Sequence, residues 1–175
     1  RYGTGVLSVR SYLAEHPADR DVRFLMVKIN SDVFEAPLGI ALAEELKQKY
    51  KPLSQKEQKL VDDLEYWKKY DKDVPLFLPA ARQIAKAYLS FLDGKSEDSV
   101  SILSEKTEYP EFLQSDPKKP AKDSYFNDGI VNFRRDLAWK LYDHYNDLSK
   151  NADTPENKER AKTVKSRIFD KLLRN

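Results

Sequence analysis

His16 and His144 are the only imidazoles in this 175-residue chain, and there is no cysteine, so few side chains can exchange protons near neutral pH. His16 stands before Pro17 in a turn, a position that suits a capping or solvent-facing side chain better than a general base. His144 lies in "YDHYND" near Asp143 and Asp147, carboxylates that would raise its pKa or help to hold a metal ion. Only Asp147, three positions on, shares its helical face, and no second histidine falls at that spacing, which favours a surface or interhelical histidine. In "VDDLE", Asp62 and Glu65 share a face, while Asp63 does not. Lys56, Lys59, Lys68 and Lys69 flank them in the pattern of surface ion pairs. "RYGTG" offers Gly3 and Gly5 without the lysine, strand or opening helix of a phosphate loop, and reads as a flexible lead-in. No zinc, EF-hand or nucleophile-elbow spacing occurs. These residues predict a chain that is not an enzyme and uses no metal or cofactor.

Two other groups of residues suit binding. Arg135, Trp139, Tyr142 and Asn146 recur along a helical stripe opposite the apolar face of their segment. A tryptophan and a tyrosine one turn apart, led in by an arginine, match the side chains that dominate protein interfaces. The other reading is a middle helix that buries both sides. Further on, Pro155 to Asn175 holds seven basic residues against three acidic ones, among them Lys158, Lys162, Lys165 and Arg167. Such a helix would contact phosphates, an acidic partner or an anionic surface, or serve as a solvated face in which Glu156 pairs with Arg160. Aromatics interleaved with lysines in "EYWKKYDKD" fit base stacking only if the rings are exposed, and Trp67 falls on the apolar side of its segment.

The elements that must position these residues are helices. Glycines are few, and strict alternation of β-branched residues is rare. The first helix runs from about Gly5 to Glu15, with Val6, Val9 and Leu13 on one side. The second, about Asp19 to Asn30, places Val22, Leu25, Met26 and Ile29 on one face. The third, about Ala36 to Lys49, has Pro37 in its first turn, Leu38, Leu42 and Leu46 in line, and Lys47 and Lys49 at its end. Ser54 and Glu57 form a capping box for the fourth, which turns Leu60, Val61, Leu64 and Trp67 inward. The fifth, roughly Leu78 to Leu92, carries Ala81, Ile84, Ala85 and Tyr88 and stops at Gly94.

Ser96 to Ser104 reads as a short helix, and the proline-rich segment 107–123 as a long loop. A long helix follows from about Asn127 to Leu148 on Ile130, Phe133, Leu137, Leu141 and Leu148. The last begins with Thr154, Pro155 and Glu156 as cap, first-turn proline and acid, and faces inward with Ala161, Val164, Ile168 and Leu172. The expectation is all-α, with about seven helices in antiparallel helix-turn-helix pairs.

From Val6 to Tyr50 the chain resembles tetratricopeptide-repeat and related helical-repeat proteins. The residues that carry the resemblance are "YLAEHPADRDVRFLMVKI" (Tyr12 to Ile29) followed by "LGIALAEELKQKYKP" (Leu38 to Pro52). A helix ends at a His-Pro turn, an acidic cap opens the next, and an alanine-bearing helix returns to a second proline. Pro17 and Pro52 lie about one repeat of 34 residues apart. The resemblance implies stacked helix pairs, a TPR-like solenoid, with a surface for a peptide or protein. An irregular helical bundle is the other arrangement these elements allow.

The whole-chain numbers agree with a binding module. One domain over residues 1–175 is long enough to bury a core. Charged residues make up 34% but nearly cancel to +2, so a nucleic acid or membrane would have to be read by a local patch. No apolar run approaches the roughly 18 residues of a membrane span, and the chain reads as soluble with its compartment open. A start at Arg1 instead of Met suggests excision from something longer. The leading expectation is a scaffold or adaptor that binds a protein or peptide through Arg135, Trp139, Tyr142 and Asn146. The alternative is a nucleic-acid-binding domain using Lys158, Lys162, Lys165 and Arg167.

Overall fold

The computed structural model describes residues 2–32, 36–70, 74–106 and 125–174. The expected loop 107–123 and the side chains of Val6 and Trp67 lie outside the described residues. The described chain is helical throughout and contains no strand: α1 (Tyr2–Glu15), α2 (Arg20–Asp32), α3 (Ala36–Lys49), α4 (Gln55–Tyr70), α5 (Val74–Leu92), α6 (Ser96–Ser104), α7 (Tyr125–Asn151) and α8 (Pro155–Ile168). A five-residue π-helical turn, Phe169–Leu173, prolongs α8. The class is all-α, as the periodicity predicts.

Four helix ends show how local chemistry sets them. At the first turn, Asp19 Oδ1 accepts from the Val22 N–H at 3.2 Å, and its other oxygen accepts from the Tyr12 hydroxyl at 3.2 Å. The acid after the His-Pro turn therefore caps α2 and ties it back to α1. At α4 the capping box closes in both directions, Ser54 N–H to Glu57 Oε1 at 2.9 Å and Glu57 N–H to Ser54 Oγ at 3.2 Å. Gly94, at φ +79°, ends α5. The Lys95 N–H reaches the Ser90 carbonyl at 2.8 Å and the Gly94 N–H reaches Phe91 at 3.1 Å, the paired bonds of a Schellman stop. Thr154 Oγ1 accepts from the Asn157 N–H at 3.1 Å above the first-turn Pro155.

Three expectations need correction. Gly3 and Gly5 belong to α1 and are no flexible lead-in; lacking side chains, they contribute nothing to the periodicity that marks a helix. α5 begins at Val74 instead of Leu78, running through Pro75 in its first turn and Pro79 beyond it. α2 is rotated from the expected face: Arg23, Met26, Val27 and Asn30 point inward, while Leu25 is 44% exposed. Two polar residues occupying the core face hid it from a hydrophobic count.

Packing explains that rotation. One hydrophobic cluster draws on all eight helices, and each leucine or isoleucine fully buried in it contributes about 1.5–3 kcal/mol. α3 packs against α2, α4 and α5, and α5 also packs against α6 and α7. So enclosed, α3 buries every residue from Ala36 to Ala43 instead of a single stripe. Arg23 comes inside because its charge is met there. Nε donates to the Pro17 carbonyl at 2.7 Å and Nη2 to Asp93 at 2.8 Å, while Lys49 Nζ holds the other Asp93 oxygen at 2.7 Å. Burial by itself pushes the Asp93 carboxyl up, but the lysine and arginine more than offset it and hold it below the ordinary value. α1 and α7, distant in sequence, also meet: Arg10 donates to Asp136 at 3.0 Å, with its guanidinium 4.2 Å from the centre of the Phe133 ring.

Candidate functional site

The polar residues that could have done chemistry are placed singly. His16 is exposed, with its ring 4.5 Å from that of Tyr12, and His144 is exposed, edge-on to Tyr145 at 5.1 Å. Asp62 accepts from the Gln58 amide one turn earlier at 2.9 Å, and Asp62, Asp63 and Glu65 all face solvent. Among the described residues no group of three histidines or acids could hold a metal ion.

The binding residues converge. α7 buries Ile130, Phe133, Leu137, Ala138, Leu141 and Tyr145 against the core, which turns the opposite face outward. On that face Arg135 is exposed, Trp139 is 44% exposed, and Tyr142 and Asn146 are half-buried. Trp139 and Tyr142 meet edge to face, centroids 5.4 Å apart at 76°. Val131, one turn before Arg135, is exposed too, so the strip from Val131 to Asn146 runs about 22 Å along the helix.

α8 completes the surface from the side. Ala161, Val164 and Ile168 are buried, and α8 packs extensively along α7. Lys165, half-buried, then donates from Nζ to Asn146 Oδ1 at 3.3 Å. Past Ile168 the π-helical turn brings Phe169, 44% exposed, to a ring distance of 6.4 Å from Tyr142. The result is a ledge of three rings, Trp139, Tyr142 and Phe169, with Arg135 at one end and Lys165 at the other. The two separate sequence candidates, the α7 stripe and the basic helix, thus share one surface through Lys165. Phe169 was missed in the sequence, although it falls between Lys165 and Leu172, off the buried stripe, where an exposed aromatic is conspicuous.

The remaining basic residues are divided. Lys162 pairs with Glu159 at 3.0 Å on its own helix, and Arg174 with Asp170 at 3.6 Å. Arg160 reaches Glu97 of α6 at 2.9 Å, across to another helix, and not Glu156 one turn before it. Lys158 is half-buried and Arg167 exposed. By helical phase Lys158 and Lys165 lie toward the ledge, whereas Arg160 and Arg167 lie on the other flank of α8. The cations of α8 do not form one patch.

A second polar feature ties helices together. Glu57, the capping-box acid, also receives Arg20 of α2 in a two-bond clamp, 2.8 Å from Nε and 2.6 Å from Nη2. Hydrogen bonding to Arg20 foremost, with further bonds from Ser54, holds the Glu57 carboxyl down at about 2. The Arg20 guanidinium lies 4.7 Å from the Tyr50 ring centre, closing the α3–α4 corner.

Comparison with protein-family models, with curated proteins and with solved structures gives no match. Among the described residues no helix is long and apolar enough to cross a membrane.

Proposed function

We propose that this chain is a non-catalytic protein-interaction module whose binding surface is the ledge formed by Trp139, Tyr142 and Phe169 between Arg135 and Lys165. The observation that carries the reading is a cluster of three rings, Trp139 and Phe169 exposed and Tyr142 half-buried between them, at the seam of two helices whose apolar faces are already used by the core. A partly exposed ring cluster bounded by cations has the composition of an interface centre, where aromatic and arginine side chains supply most of the affinity. The resemblance to tetratricopeptide-type helical repeats over Val6 to Tyr50 supports a scaffold or adaptor role by analogy of fold. The nucleic-acid alternative is weakened by the division of the α8 cations, three of which, Arg160, Lys162 and Lys165, are engaged with acids or with Asn146.

Trp139→Ala tests the reading. Proteins captured from a lysate by the wild-type chain, quantified by mass spectrometry, are expected to fall away with the variant. Its helical circular dichroism and stability should stay within about 0.5 kcal/mol of wild type, as for a surface substitution. An unchanged capture profile removes the ledge as the binding surface. Unfolding of the variant would assign Trp139 to the core.

A further inference from the structure

Charge is distributed unevenly about the three rings, and this asymmetry narrows the partner's chemistry. On the seam side, toward α8, Arg135 is exposed, Lys165 bonds the neutral Asn146 amide, and Lys158 lies a further two turns along; among the described residues none of the three has an acidic partner. On the far side of Trp139 stand the exposed carboxylates of Asp143 and Asp147. Asp136, on that same side, is already held by Arg10 at 3.0 Å. By helical phase Trp139 divides the two sides, so a ligand lying along the α7–α8 seam meets rings beneath it and, at both ends, cations with no acidic partner among the described residues.

We infer that the ledge takes an acidic peptide segment, one that lays a large apolar side chain against Trp139, Tyr142 and Phe169 and directs carboxylates to Arg135 and Lys165. This rests on the interaction reading above and deepens it. Complementary charge at the rim of an aromatic centre steers encounter and fixes register, and here it would orient the peptide along the seam. A nucleic acid fits less well. Trp139 and Tyr142 occupy each other edge to face, which uses a ring face that a base would need for stacking. Asp143 and Asp147 would repel phosphates, and three seam-side cations are few for a polyanion whose binding grows with each phosphate neutralised.

The test is a parallel selection of a random peptide library displayed on phage, against the wild-type chain and against Trp139→Ala. Circular dichroism serves as a control of folding, and Trp139→Phe as a second variant that keeps an aromatic ring. Peptides enriched by wild type and by Trp139→Phe, but not by Trp139→Ala, are expected to be net negative with at least one large apolar residue. The affinity of a labelled member, read by fluorescence anisotropy, should fall by about tenfold in an Arg135→Gln, Lys165→Gln double variant. Trp139-dependent peptides that are neutral or basic would overturn the acidic partner while leaving the interaction module standing. A library with no Trp139-dependent peptide overturns both. A labelled single-stranded RNA is run beside the peptides. RNA bound more tightly than any selected peptide, and lost in Trp139→Ala, would replace the peptide with a nucleic acid.

Discussion

Glu57 shows how much one side chain can join when its two oxygens serve different neighbours. It completes the capping box of α4 with Ser54 and receives the fork of Arg20 from α2, so its charge stabilises a helix end and a helix–helix contact together. The carboxyl is held at about 2, against an ordinary value of 4.5. A depressed carboxyl stabilises the fold fully above the ordinary value and loses that contribution as pH falls toward the folded-state value, because the unfolded chain takes up the proton first. Urea unfolding of wild type and Glu57→Gln should therefore differ most at about pH 6, with the gap closing between about pH 4.5 and pH 2. A gap independent of pH over that window would mean that Glu57 acts through packing alone. Arg23 makes a related point. A buried guanidinium is tolerated because Asp93 supplies an opposite charge and the Pro17 carbonyl a further acceptor, while Lys49 holds the other Asp93 oxygen. The Tyr88 hydroxyl, buried in the same region without a hydrogen-bond partner among the described residues, is pushed up to about 12 by burial.

Helices here stop where local chemistry tells them to, and the cost of removing a stop can be stated. Gly94 adopts φ +79°, and a Cβ added there would meet nothing within 4 Å, so only the backbone conformation opposes substitution. Gly94→Ala is expected to cost about 1 kcal/mol, a fall in melting temperature of roughly 2–4 °C, measurable by calorimetry. No change would show that the Schellman stop relaxes freely. The π-helical turn acts at the same scale. By running on from the buried Ile168 with a wider winding, it sets the exposed Phe169 beside Tyr142 and so builds the third ring of the ledge.

The eight helices of the described residues share one core, and that has a consequence for the whole molecule. The cluster runs from Val9 and Leu13 of α1 to Ile168 of α8, and α1 reaches α7 through Arg10, Asp136 and Phe133. With α1 and α8 both bound into the same interior, unfolding in urea should be one cooperative transition. Circular dichroism at 222 nm, which follows every helix, should coincide with tryptophan fluorescence, which follows α4 and α7. Separated transitions would mean that the helix pairs are stable independently, as in an extended array.

The amino-acid sequence by itself determined the all-α class, most helix ends and the apolar stripes of α5, α8 and, apart from Leu148, which is 37% exposed, α7. The reason is range: Ser54 with Glu57, Thr154 with Pro155, and Gly94 act through bonds to residues within a turn or so of themselves. Tertiary structure decided whatever depended on a distant partner. Leu25 lies outside and Arg23 inside because Asp93, seventy positions on, neutralises the arginine. The α7 stripe and the basic helix read as two candidates until the Lys165 bond to Asn146 and the Tyr142–Phe169 contact joined them, while Arg160 and Arg167 were left on the other flank. Periodicity gives the phase of a helix about its own axis. Which neighbour each face meets depends on the packing of all eight helices at once.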